Sequence, residues 1–278
     1  MKILHFLSSL LLLIFFNAGC HKKESVEQAI QPIDTSKHYK LIWSDEFNYS
    51  GLADNNKWGY EVGFIRNDEA QYYTRARKEN ARVEDGMLVI ESRKENFSGA
   101  AYTSASLNTL GKAAFPVNSR VEVRAKIPQG LGIWPAIWMM GTNVDSVGWP
   151  KCGEIDIMEF VGHTPNKIWG TFHWWDATKP DSSIHLSKGS NIDFTDLKDN
   201  FHVYGVERTA SKLTFFVDNQ YYFSFDTTGT VQKGLFRHPF YVLLNTAIGG
   251  SWGGKIDDSI FPQKFYIDWV RVFEIPVK

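Results

Sequence analysis

Cysteine is scarce in this chain: Cys20 and Cys152 are the only two among 278 residues. Lysine and arginine (30) nearly balance aspartate and glutamate (31), leaving a formal charge of -1. That balance lacks the basic excess a nucleic-acid binder uses to neutralise phosphates, and it points away from strongly anionic polymers. No internal repeat or low-complexity block occurs, and the scattered histidines show no metal-ligand spacing. The one long apolar run lies at the amino terminus and is short for a membrane-spanning helix. What the chain has in quantity is aromatic surface, 10 Trp, 11 Tyr and 20 Phe, more than a core alone needs. Trp and Tyr present broad apolar faces with a polar edge, which suits the flat C–H faces of sugars.

Residues 1–20 read as a targeting segment. Lys2 supplies the positive start, Ile3 to Phe16 the apolar stretch, and Ala18-Gly19 the small residues before Cys20. Small residues directly before a cysteine resemble a bacterial lipoprotein signal, which implies cleavage there and lipidation of the Cys20 thiol. The expected destination is the outer membrane, on its periplasmic or cell-surface face, with plain secretion as the alternative. Residues 21–37 are polar and read as a flexible tether. Lipidation of Cys20 leaves Cys152 free, as a small buried thiol. Residues 38–278 form the expected single domain.

Short apolar runs recur in that domain between Gly, Asn and Asp turns, the pattern of an all-β sandwich. Tyr39 to Trp43 starts it. Val83 to Ile90 reads as a hairpin turned at Asp85-Gly86. Tyr102 to Leu107 and Gly111 to Phe115 are further expected strands. Ser119 to Ile127 alternates as a plain sandwich strand. Asp176 to Asn200 reads as a polar loop at a cleft rim. Phe201 to Thr209, Leu213 to Asp218, Gln220 to Phe225 and Phe240 to Ile248 follow as strands. In the last, Lys264 to Phe273, the residues Phe265, Ile267, Trp269 and Phe273 are expected on one face, with both faces covered.

One stretch carries chemistry: Cys152-Gly153-Glu154-Ile155-Asp156-Ile157-Met158-Glu159-Phe160-Val161-Gly162. Glu154 and Asp156 alternate with isoleucines, the period of a strand. Then the rhythm slips, and a β-bulge at Ile157–Met158 would return Glu159 to the acidic face. Three carboxylates on one face repel, and burial with repulsion raises at least one pKa. Retaining glycoside hydrolysis needs such a set, one carboxylate attacking and a protonated one donating, roughly 5–5.5 Å apart. The expected roles are Glu154, the first motif carboxylate, as nucleophile, Asp156 as its proton-sharing partner, and Glu159, after the bulge, as acid, then base. Trp134 and Trp138 lie four residues apart in Gly130 to Gly141, hence on one strand face, as a platform for a sugar ring.

The motif resembles glycoside hydrolase family 16, whose signature is Glu-x-Asp-x-x-Glu in the bulged form, and the resemblance covers residues 40 to 275. It implies a jelly-roll sandwich of two antiparallel sheets with a concave sheet forming the substrate cleft. It implies an endo-β-1,3-glucanase acting on laminarin-like polymers, working as a monomer with no catalytic cofactor. The Trp134-Pro-Ala-x-Trp138 block resembles the floor of that cleft. Asn67-Asp68-Glu69-Ala70-Gln71-Tyr72-Tyr73 is similar to a stretch on its glycone side, putting Asn67 there. Trp252 in Gly249-Gly-Ser-Trp-Gly-Gly254 resembles a stacking tryptophan, and His173 matches a cleft histidine. The resemblance also implies one structural calcium at Glu46, Gly86 and Asp268. Two departures stand out: Ser106 replaces a usual Arg, and Asn118-Ser119 replaces a frequent Tyr-Gly. Other polymers (mixed-linkage glucan, agarose, carrageenan) and a non-catalytic carbohydrate-binding module are the competing readings.

Overall fold

The computed structural model describes residues 31–32, 39–176, 178, 184–218, 220–228 and 234–276. Cys20, the targeting segment and all of the expected tether except Gln31–Pro32 lie outside them. Eighteen strands follow one another in these residues. The first nine are β1 Gln31–Pro32, β2 Lys40–Asp45, β3 Gly59–Tyr60, β4 Gln71–Tyr73, β5 Ala81–Glu84, β6 Met87–Phe97, β7 Ala100–Ser104, β8 Ser106–Asn108 and β9 Ser119–Lys126. The others are β10 Ile133–Gly141, β11 Glu154–Glu159, β12 Lys167–Trp175, β13 His185–Asp193, β14 His202–Arg208, β15 Lys212–Val217, β16 Gln220–Asp226, β17 Phe240–Ile248 and β18 Gln263–Glu274.

They form two sheets, as a jelly-roll sandwich requires. One runs β13-β12-β11-β10-β17-β8-β3, with every pairing antiparallel. The other runs β1-β16-β15-β14-β9-β18-β6-β7-β4, with β2 on β18 and β5 on β6; its β4–β7 pair is parallel. The core lies between them. Ile137, Met139, Ile155, Phe172, Val242 and Leu244 of the first sheet meet Val121, Val123, Val206, Phe215, Phe265 and Val270 of the second in one buried cluster. The alternating β9 buries Val121, Val123 and Ala125, as its period demands.

The Asp85-Gly86 hairpin forms, with φ of 52° and 75° at its two turn residues, the positive pair that a two-residue primed turn needs.

The structure corrects five expectations. The run Tyr102 to Leu107 is split at Ala105 into β7 and β8, which belong to opposite sheets. Gly111 to Phe115 is no strand: a turn follows Thr109, and only Phe115 bridges, to Phe240. The polar stretch after Asp176 contains β13, a nine-residue strand whose pairing comes from β12. In β18 the pairing with β9 shifts between Ile267 and Trp269. That bulge at Asp268 inverts the alternation, so Phe265, Ile267, Val270 and Val272 point into the core while Trp269 and Phe273 are only partly buried on the outer side. Gln31–Pro32, expected in the tether, pairs with β16.

Gly162 fixes how the catalytic strand leaves the sheet. A Cβ there would sit 1.7 Å from the Gly130 carbonyl oxygen, and backbone atoms do not yield as a side chain does. Gly162→Ala is therefore expected to cost about 1–3 kcal/mol through overpacking, read as a Tm lowered by several degrees in thermal unfolding. An unchanged Tm would show that the loop carrying Gly130 moves freely.

Candidate active site

The seven-stranded sheet presents a cleft of about 580 Å³ on its outer face. β11 supplies the acidic residues. Glu154, Asp156 and Glu159 pair with His173, Thr171 and Trp169 of β12, and the register shifts between Asp156 and Glu159. Across the other edge, Met140, Trp138 and Ala136 of β10 oppose Glu154, Asp156 and Glu159, with Ile157 left over. Both Ile157 and Met158 are fully buried in the core between the sheets. Two consecutive side chains turned inward are the mark of the expected bulge, and all three carboxylates line the cleft.

Their surroundings differ. Asp156 is 3% exposed, while Glu154 and Glu159 are partly open to the cleft. Burial pushes Glu154 up to about 8; the Asp156 charge adds to this, and His173 and Arg66 oppose it. Burial raises Asp156, with a hydrogen bond to Glu154 acting the other way. Glu159 is raised well above the ordinary carboxylate range, by burial first and then by the charges of Asp156 and Glu154. The three therefore hold protons between them at neutral pH. Of the two glutamates, only Glu154 has Arg66 as well as His173 opposing the rise. Trp134 donates its Nε1–H to Glu159 Oε1 at 3.0 Å. His173 Nε2 lies 2.9 Å from Asp156 Oδ2 and 3.7 Å from Glu154 Oε1.

Aromatic walls flank this centre. Trp134 and Trp138 line the cleft from one face of β10. Trp138 donates to Asn245 Oδ1 at 2.7 Å, and the Arg66 guanidinium sits 5.0 Å from its ring centre. Trp252 stands edge-on to Trp134 at 5.5 Å and to Trp169 at 5.9 Å. It rides on the helical turn Gly250–Gly253, where Ser251 N–H donates to the Asn67 carbonyl at 2.8 Å. Asn67 and Trp252 are thus brought to the same end of the cleft.

A bulged strand that turns three carboxylates into a tryptophan-lined cleft is what a sugar-cleaving site of the expected kind requires. The family model for "Glycosyl hydrolases family 16" matches residues 68–271. The chain belongs to that family. It is 44% identical over 253 residues to a β-glucanase of Rhodothermus marinus, covering 86% of this chain and 87% of the relative. It is 35% identical over 228 residues to a glucan endo-1,3-β-glucosidase of Cryptopygus antarcticus, covering 77% and 82%. The X-ray structure of the laminarinase from Rhodothermus marinus superposes with a TM-score of 0.80 at 41% identity, over 87% of this chain and 99% of that one.

Within this family 16 cleft, Ser106 has a specific use. Its hydroxyl donates to Glu61 Oε2 at 2.6 Å, and Glu61 holds Arg66 by an ion pair. A cation faces the cleft, therefore, although position 106 is not Arg. Arg66, Trp149, Trp169 and His185 also line the cleft, and no spacing in the sequence marks them for it. Glu69, inside the Asn67 to Tyr73 stretch expected on the glycone side, is a buried carboxylate that accepts from Gln71 Nε2 at 2.7 Å, Tyr73 at 3.0 Å and Asn67 Nδ2 at 3.3 Å. Cys152 is buried and free, and burial pushes its thiol up to about 11, so it is inert.

The residues expected to hold calcium fall near one register position of the second sheet. β6 ends its pairing with β18 at Ile267 and β2 begins its own at Val270, so Glu46 and Gly86 flank Asp268. Both carboxylates already carry an arginine: Glu46 accepts from Arg271 at 2.8 and 3.0 Å, and Asp268 pairs with Arg124. Guanidinium groups already answer both charges, so these side chains as they stand are a poor fit to a cation. Among the described residues, Glu154, Asp156 and His173 are the one set of acidic and imidazole groups close enough to share an ion, and they belong to the carboxylate centre.

Proposed function

We propose that the protein is a retaining endo-β-1,3-glucanase acting on laminarin-like polysaccharides. The observation that carries this reading is the bulged β11, which turns Glu154, Asp156 and Glu159 into one tryptophan-lined cleft. An open cleft along a sheet accepts the middle of a chain, which suits internal cleavage. The glucan-cleaving relatives support the polymer and the linkage.

In this reading the ionised Glu154 attacks the anomeric carbon while Glu159 gives its proton to the glycosidic oxygen, breaking the C–O bond. Glu159, now a carboxylate, takes a proton from water. The water oxygen then displaces Glu154 with a second inversion, giving net retention. Trp134 aims Glu159 through its indole N–H. Asp156 shares a proton with Glu154. Asn67, Trp134, Trp138 and Trp252 bind sugar rings along the cleft, His173 lines it beside the carboxylates, and the protein works as a monomer.

Reducing-sugar release from laminarin, mixed-linkage glucan, agarose and carrageenan tests the substrate. Laminarin is expected to be cut fastest, to a mixture of oligomers with β-configured new ends. Preference for a galactan, or no release from any of the four, would overturn the reading.

Asp156→Asn tests the shared proton. The Asp156 charge raises Glu154, so its removal should move the acid limb of the pH–rate curve to lower pH and cut kcat. Substrate affinity should persist. An unmoved acid limb would make Asp156 merely structural.

We also propose that the enzyme is exported and anchored by a lipid on Cys20, on the strength of Ala18-Gly19-Cys20 alone. Cys20→Ala should release it from the membrane fraction and abolish labelling with a fatty-acid probe. A wild-type protein that is already soluble and unlabelled would rule the anchor out.

A further inference from the structure

We propose that His185 is a positioning residue, whose ring decides which nitrogen of His173 carries the proton and thereby orients the hydrogen bond on Asp156. This rests on the reading of Glu154 as nucleophile with Asp156 beside it.

His185 begins β13, the edge strand of the cleft sheet. Ser187 pairs directly with His173, and Trp175 with His185, so His185 and His173 are diagonal neighbours on one face. Their rings lie 4.9 Å apart at 21°. His173 Nδ1 and His185 Nε2 are 2.7 Å apart. Two ring nitrogens at that distance need one shared proton: with none, two lone pairs collide, and with two, both donors do. Trp149 packs on the outer side of His185 at 4.6 Å between ring centres and holds the ring in place.

The other nitrogen of His173 faces the carboxylates. Its Nε2 is 2.9 Å from Asp156 Oδ2, a buried oxygen with no other partner and no well-aligned hydrogen bond. A neutral His173 with its proton on Nδ1 would aim a lone pair at that oxygen. With the proton on Nε2 it donates to Asp156, and Nδ1 must then accept. His185 Nε2–H is the donor in reach. The chain therefore runs from His185 through His173 and Asp156 to Glu154, each link setting the next. Burial and the nearby His173 hold His185 below the usual histidine range, so at neutral pH it is a neutral ring with one N–H to give. The charged groups facing His173 are Glu154 and Asp156 of β11 and, farther along that strand, Glu159; His185 faces it from β13, and Arg66 lies among the cleft residues opposite.

The test uses two variants in the intact protein. His185→Phe keeps an aromatic ring under Trp149 and removes both nitrogens, whereas His185→Gln returns an N–H at similar reach. ¹⁵N chemical shifts in histidine-labelled protein near pH 7 should show wild-type His173 as the Nε2–H tautomer with Nδ1 accepting. In His185→Phe that signature should be lost. There kcat on laminarin should fall about tenfold, the worth of one hydrogen bond, with KM within about twofold, and the acid limb of the pH profile should move. His185→Gln should recover most of kcat and the tautomer. An Nδ1–H tautomer in wild type would overturn the proposal, as would a His185→Phe enzyme with unchanged tautomer, kcat and pH profile. Full activity in Glu154→Gln would instead sink the underlying assignment while leaving the tautomer result standing, so the two failures are separable.

Discussion

Glu154→Gln is expected to abolish turnover on laminarin, by about 10⁴-fold or more, because no covalent glycosyl-enzyme forms without the carboxylate. The amide keeps the size of the side chain, so the fold should persist. It should in fact be more stable at neutral pH. An unfolded glutamate titrates near 4, while in the folded cleft burial and Asp156 hold Glu154 at about 8. Between those values the folded state keeps a proton that the unfolded state has released. Its stabilising contribution is complete below about pH 4 and is lost as pH rises through about 8. Gln removes that loss, so the Tm advantage of the variant should grow from pH 4 towards pH 8. Initial rates together with thermal unfolding at several pH values check both parts. Near-wild-type turnover would remove Glu154 from the reaction, and a variant less stable at pH 8 than wild type would contradict the account of the buried charge.

Glu159→Ala should separate the two chemical steps. Burial and the two neighbouring carboxylates keep Glu159 protonated, the state a general acid needs. Its loss should cost about 10²–10⁴-fold on natural polymer. An aryl glycoside with an activated leaving group needs little protonation, so its first step should survive. The glycosyl-enzyme on Glu154 should then accumulate, because no base activates water. Added azide, which needs no base, should attack it and yield a β-glycosyl azide. Mass spectrometry of the trapped protein and NMR of the azide adduct read the result. Equal loss on both substrates with no trapped species would exclude the role, and an α-configured first product from wild type would overturn retention itself.

The centre of this site was legible locally. The slip in rhythm at Ile157–Met158 demands a bulge if three carboxylates are to share a face, and both residues are turned into the core. The four-residue spacing of Trp134 and Trp138 placed both in the cleft for the same reason: side-chain direction along a strand repeats every two residues. β13 has no signature in the sequence because only Leu186 and Ile192 are apolar and an edge strand can leave its other side chains in water; β12, not its own pattern, makes it a strand. In β18 the alternation misled, because the bulge at Asp268 arises where two partners, β6 and β2, divide one edge. What the chain alone determined is the reacting groups and the face they share, since strand period and local bulge depend on neighbours in sequence. What only the tertiary structure decided is their protonation and their company. Arg66 over Trp138, His185 against His173 and the depth of Asp156 come from pairings between distant segments, and the removal of water by those pairings is what raises the carboxylates.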